Sequence, residues 1–209
     1  MSGLRDQAAR RGAWGFGLGG GVALSLWAAS ASRPGYLLAI AGFAISGVIG
    51  GASLAPFVGG WLHAVLASVG FGLGFLLMGG ILFCAFLPIQ GMSGFLGPVL
   101  FILVGVTAGF TIAGAVGGLS LWLGNGVFLR SLISFAAGGS VGGALLVVLL
   151  GVIELTGPLR IGLLRNIVVL VLGLACLVLS YALGGAPLGT ALAKQPFNRD
   201  VEQITRLKL

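Results

Sequence analysis

Apolar runs of about 20 residues follow one another through most of this chain, the length a helix needs to cross the hydrocarbon core of a bilayer. Only 7% of the 209 residues are charged, 58% are apolar, and the mean hydropathy is +1.16. A soluble domain carries about 25% charged residues, so this chain cannot clothe a water-facing surface. The expected class is all-α, a polytopic transmembrane helix bundle. Its 40 glycines fit that class. Without competing water a helix survives glycine, and glycine lets two helices approach closely.

Turn chemistry divides the runs into six spans, near residues 14–31, 36–54, 64–87, 96–123, 128–153 and 161–183. The dividers are Ser32-Arg33-Pro34-Gly35, Ala55-Pro56 with Gly59-Gly60, the uncharged stretch from Pro88 to Gly94, Gly124-Asn125-Gly126, and the region of Glu154, Pro158 and Arg160. Residues 1–12 read as a basic lead-in, and the run after them is too long for the apolar part of a cleaved signal. A six-helix domain covers 13–188, and a basic tail covers 189–209. With the N-terminus inside, Arg5, Arg10, Arg11, Arg130, Lys194, Arg199, Arg206 and Lys208 fall on one side, and Arg33, Arg160 and Arg165 on the other. That asymmetry places both termini in the cytoplasm, in a bacterial inner or an organellar membrane.

One short pattern recurs: Ser46-Gly-Val-Ile-Gly-Gly-Ala-Ser-Leu54, Ala113-Gly-Ala-Val-Gly-Gly-Leu-Ser-Leu121 and Ser180-Tyr-Ala-Leu-Gly-Gly-Ala-Pro-Leu188. Gly50, Gly117 and Gly184 are spaced by about 67 residues, the fixed period of an internal repeat. The odd spans share another signature, Gly15-Phe-Gly-Leu-Gly19, Gly70-Phe-Gly-Leu-Gly74 and Ser134-Phe-Ala-Ala-Gly138. The expected unit is a two-helix hairpin used three times in one orientation, near 13–63, 64–130 and 131–197.

The glycines form stripes at helical spacing. Gly42, Ser46 and Gly50 share a face, beside Gly47 and Gly51. Gly109, Ala113 and Gly117 repeat it, beside Gly114 and Gly118; Gly138 and Gly142 follow Ser134, beside Gly139 and Gly143. Such faces serve tight packing within the chain, a seam between copies, or a smooth groove for a lipid, quinone or carotenoid.

Chemistry is sparse. The net charge of +7 comes from residues scattered at span ends, where headgroups account for them, so nucleic acid is excluded as a partner. Cys84 and Cys176 lie in apolar runs and read as small buried hydrophobes. No metal-ligand run, Walker loop or dinucleotide fingerprint occurs. His63, the only histidine, aligns with Arg130 under the repeat. It is a candidate headgroup contact or axial ligand to a single tetrapyrrole. Glu154, Arg160 and Arg165 are candidates for an interfacial ion pair or partner contact. Gly91-Met92-Ser93-Gly94 resembles the Gly-x-Ser-Gly box of rhomboid intramembrane proteases, which also have six spans. That resemblance implies a histidine partner in the sixth span. This chain has none there, which leaves the serine without a base.

The reading is therefore non-enzymatic, with no cofactor predicted outright. The first expectation is an accessory, assembly or scaffold subunit, partnered by the bilayer and by other membrane subunits or copies of itself. The second is a channel or carrier for a neutral or lipophilic solute, lined by residues such as Ser46, Ser53, Thr111 and Ser120.

Overall fold

The computed structural model describes residues 2–30, 36–89, 96–125, 127–155 and 162–194. They form α1 (Ser2–Ser30), α2 (Tyr36–Ser53), α3 (Trp61–Ile89), α4 (Leu96–Asn125), α5 (Phe128–Leu155) and α6 (Gly162–Leu192), with one 3-10 turn at Ala55–Phe57 and no strand among the described residues. The described secondary structure is all-helical. Among the described residues four stretches are long and apolar enough to cross a membrane: Trp61–Leu82, Ile102–Leu121, Phe128–Leu149 and Val171–Leu192. Leu37–Ser53 in α2 is a shorter apolar helix.

Helix α1 runs unbroken from Ser2 through the basic lead-in into the first apolar run. One boundary differs from the sequence reading. The last helix does not stop near Leu183 but runs through Gly184, Gly185 and Pro187 to Leu192. Proline removes one helical hydrogen bond and glycine weakens a helix in water, which is why the polar turn after Leu183 looked like an end. Burial overrides both: Leu188 and Leu192 are fully buried, and Ala191 nearly so, while Pro187 faces outward. The tail from residue 195 lies outside the described residues.

Each helix packs against its neighbours in the chain, and α6 returns to pack on α1, so the six close into a ring. Packing across the ring is slight by comparison. At the α2–α3 connection the amides of Leu54 and Phe57 donate to the carbonyls of Gly51 (3.1 Å) and Leu54 (2.9 Å). The chain then reverses through Gly59 and Gly60, at φ +83° and +150°, values that side chains disfavour.

The two glycine rows on each helix serve two different seams. Gly42 and Gly50 face α1, where an added Cβ would strike Leu26 or the ring of Phe16, while Gly47 and Gly51 lie against the backbone of Phe71 and Ala67 on α3. On α4, Gly109 and Gly117 face Met78 and Phe71 of α3, while Gly114 and Gly118 face Ser131 and its neighbours on α5. On α5, Gly138 and Gly142 meet Ser180 of α6, while Gly139 and Gly143 meet Phe110 and Leu103 of α4. Ser46 and Ala113 are buried and lie against Gly19 and Gly74. The ring closes where Gly12 and Gly185 bring the backbones of α1 and α6 together, with Gly189 against Ala8.

These contacts separate essential glycines from dispensable ones. A Cβ at Gly51 would stand 2.7 Å from the Ala67 carbonyl oxygen and from the Ser68 Cα, backbone atoms that cannot yield, whereas one at Gly80 meets nothing within 4 Å. Gly51→Ala is expected to lower stability by about 1–3 kcal/mol. Gly80→Ala is expected to be neutral or to stabilise by up to about 1 kcal/mol. Thermal unfolding in mild detergent, followed by tryptophan fluorescence, checks both; equal effects would mean that the α2–α3 seam is looser than described.

Candidate functional site

A ring of helices leaves space at its axis, and here aromatic side chains occupy it. Phe16 of α1, Phe71 and Phe75 of α3, Phe110 of α4, Phe135 of α5 and Tyr181 of α6 are all fully buried. Phe16, Phe71 and Phe135 form a triangle, with ring centroids 5.0, 5.4 and 4.9 Å apart. Each arises at the phenylalanine of the odd-span signature. Each rests on the first glycine of the Gly-Gly pair in its hairpin partner: Phe16 on Gly50, Phe71 on Gly117, Phe135 on Gly184. A missing Cβ makes the hollow that the ring fills.

Beside that triangle, Tyr181 stacks on Phe75 at 4.7 Å and 16° and meets Phe110 edge-on at 4.9 Å and 77°. The packing is the offset and T-shaped kind that ring quadrupoles favour, worth about 0.5–1.5 kcal/mol per pair beyond burial. One polar contact lies within it, Ser46 Oγ to Tyr181 Oη at 3.2 Å. Ser46 Oγ is also 2.6 Å from the Phe43 carbonyl oxygen. A serine hydroxyl has one proton and a carbonyl can only accept, so Ser46 donates to Phe43 and the Tyr181 hydroxyl donates to Ser46.

The other hydroxyls suggested for a polar path are spent on their own helices. Ser53 donates to the Gly50 carbonyl and Ser120 to that of Gly117, both at 2.6 Å, and Thr111 donates to Thr107 at 2.7 Å. Among the described residues, no side-chain nitrogen or oxygen fully shut off from solvent lacks a partner. The aromatic centre contains, among the described residues, no ionisable acid or base other than the Tyr181 phenol. Among the described residues no three His, Cys, Asp or Glu side chains gather as a metal site would require.

The remaining candidates sit at the ends of helices. His63 is partly buried in the first turn of α3, two turns before Phe71 and so about 12 Å along the axis from the aromatic centre. Arg130 stands exposed in the first turn of α5, the equivalent place on that helix. The side chains of Glu154, Arg160 and Arg165, and the whole of Gly91–Gly94, lie outside those described. Sequence reasoning did not single out the aromatic cluster. Its signal was present, since a phenylalanine follows the first small residue of every odd-span signature, but nothing in one helix tells which side chain meets the axis.

The hydroxyl pair and the rings are separable by mutation. Tyr181→Phe should cost about 0.5–1.5 kcal/mol, the worth of one buried hydrogen bond. Tyr181→Ala should cost about 3–5 kcal/mol, because the five remaining rings cannot close the cavity. Ser46→Ala should cost less in the Tyr181→Phe background than alone, and denaturant unfolding of the four proteins in mild detergent would show that coupling or its absence.

Comparison with protein-family models, with curated proteins and with solved structures found no match to this chain.

Proposed function

We propose that the chain is a non-catalytic integral membrane subunit with an accessory, assembly or scaffold role in a larger membrane complex. The observation that carries this reading is where the chain spends its packing. Its glycine rows face helices of the same chain, and its axis holds six aromatic rings bearing one internal hydrogen bond. The outward surface keeps large apolar residues such as Trp14, Leu37, Trp61, Val104, Leu129 and Val148. That surface meets lipid tails and partner subunits. Among the described residues it carries no acid–base pair of the kind catalysis requires.

In this proposal all six helices span the membrane, as three hairpins of one orientation about an axis along the membrane normal, with both termini on the cytoplasmic side. Matching Phe–Gly contacts in α1–α2, α3–α4 and α5–α6 support the repeat. The positions of Arg5, Arg10, Arg11, Arg130 and Lys194, all at the end where α1 begins and α6 finishes, support the orientation.

A closed ring with a polar pair, Ser46–Tyr181, at its centre favours one second reading, a carrier of a neutral or lipophilic solute. The filled axis weighs against a simple open pore.

Gentle extraction from the native membrane, followed by native electrophoresis, mass spectrometry and an absorption spectrum, separates the readings. Comigration with a larger assembly is the expected result, and the spectrum would reveal any bound quinone, carotenoid or His63-ligated tetrapyrrole. A monodisperse protein extracted alone counts against the subunit and makes flux in reconstituted vesicles the next measurement.

A further inference from the structure

Where α5 begins and α6 ends, the two helices flank a groove of about 540 Å³ lined by Arg130, Ser134, Thr190 and Lys194 with Ile133, Ala186, Pro187 and Ala191. Its polar groups are arranged for an anion. Arg130 and Lys194 are both exposed, come from different helices, and make no ion pair among the described residues. No carboxylate lines the groove; Asp6, the one acid whose side chain is described, belongs to α1. Ser134 is buried except toward this groove, and its hydroxyl has no hydrogen bond among the described residues, so it is free to donate. Arg130 also stands in the first turn of α5, whose unpaired amides oppose the negative potential of the α6 C-terminus at the same groove, so the net positive charge there is that of the two side chains.

The apolar side of the groove continues toward the middle of the bundle. Leu183 and Leu179 follow Pro187 at four-residue steps on α6, and both are exposed. Ile133 and Val141, eight residues apart on α5, share one face and are exposed as well. A small soluble anion would use only the charged end; a phospholipid would use both.

We propose that this groove binds an anionic phospholipid, with Arg130 and Lys194 pairing its phosphate, Ser134 donating to a phosphate oxygen, and an acyl chain lying along the outward apolar rows of α5 and α6. The proposal rests on residence in a bilayer and not on the subunit reading, so either stands if the other fails.

The test uses the purified full chain in non-ionic detergent, titrated with phosphatidylglycerol or with phosphatidylcholine of the same acyl chains, the bound lipid being counted by native mass spectrometry. One phosphatidylglycerol is expected to be retained in preference to phosphatidylcholine. Arg130→Ala with Lys194→Ala should weaken that retention by about tenfold or more, and Arg10→Ala with Arg11→Ala, a cation pair at the same end, should change it by no more than about twofold. Arg130→Lys with Lys194→Arg should restore binding, which keeps the test valid should the alanine pair unfold. Equal retention of the two lipids, or equal loss from the α1 pair, would overturn the site. Displacement by millimolar inorganic phosphate would make it a small-anion site instead and overturn the lipid assignment.

Discussion

Two helices come within backbone contact only where the facing residues have little or no side chain, and every seam of this ring depends on that. Backbones approach closely at every seam: Gly19 and Gly74 lie against the carbonyls of Ser46 and Ala113, Gly138 against that of Ser180, Gly47 and Gly51 meet α3, Gly114 and Gly118 meet α5, and Gly185 and Gly189 meet α1. Three other glycines work differently. Gly50, Gly117 and Gly184 are hollows for the rings of Phe16, Phe71 and Phe135. In a bilayer, lipid tails are as apolar as any side chain, so burial alone does not drive helices together and close van der Waals fit has to. The abundance of glycine and the central aromatic cluster are two halves of one solution. Backbones close the ring from outside, and rings fill what that closure leaves at the axis.

The polar side chains obey the same environment. A hydroxyl placed in hydrocarbon without a partner is costly, and serines and threonines here return their proton to a carbonyl one turn back, as at Ser46, Ser53, Ser68, Ser120, Ser180 and Thr190. Ser131 instead donates across the α4–α5 seam to the Gly114 carbonyl at 2.9 Å. That bond reaches a backbone oxygen only because Gly114 exposes it. Tyr181 takes a position that is Gly47 and Gly114 in the other two copies of the pattern. It places at the axis a ring where those two positions have none, and that ring carries the polar contact of the centre.

Much of the fold was legible because it depends on local properties. Run length and lack of charge mark the helices, Pro-Gly and Gly-Gly clusters mark the turns, and the four-residue spacing of small residues marks the packing faces. The end of α6 was not legible, since Gly184, Gly185 and Pro187 are breakers by local rules. What keeps that segment helical is the burial of Leu188 and Leu192, and burial is a property of the assembled ring.

The sequence by itself determined long apolar helices compatible with a membrane, their rows of small residues and the dearth of ionisable groups in the apolar runs, because each follows from composition or from spacing along one helix. Only the tertiary structure decided which row meets which neighbour, that α6 closes on α1, and that six aromatic rings from five helices converge on one axis. It also decided that Arg130 and Lys194, 64 positions apart in the chain, flank one groove. These are relations between helices, and their energies come from contacts that form only when distant segments are brought together.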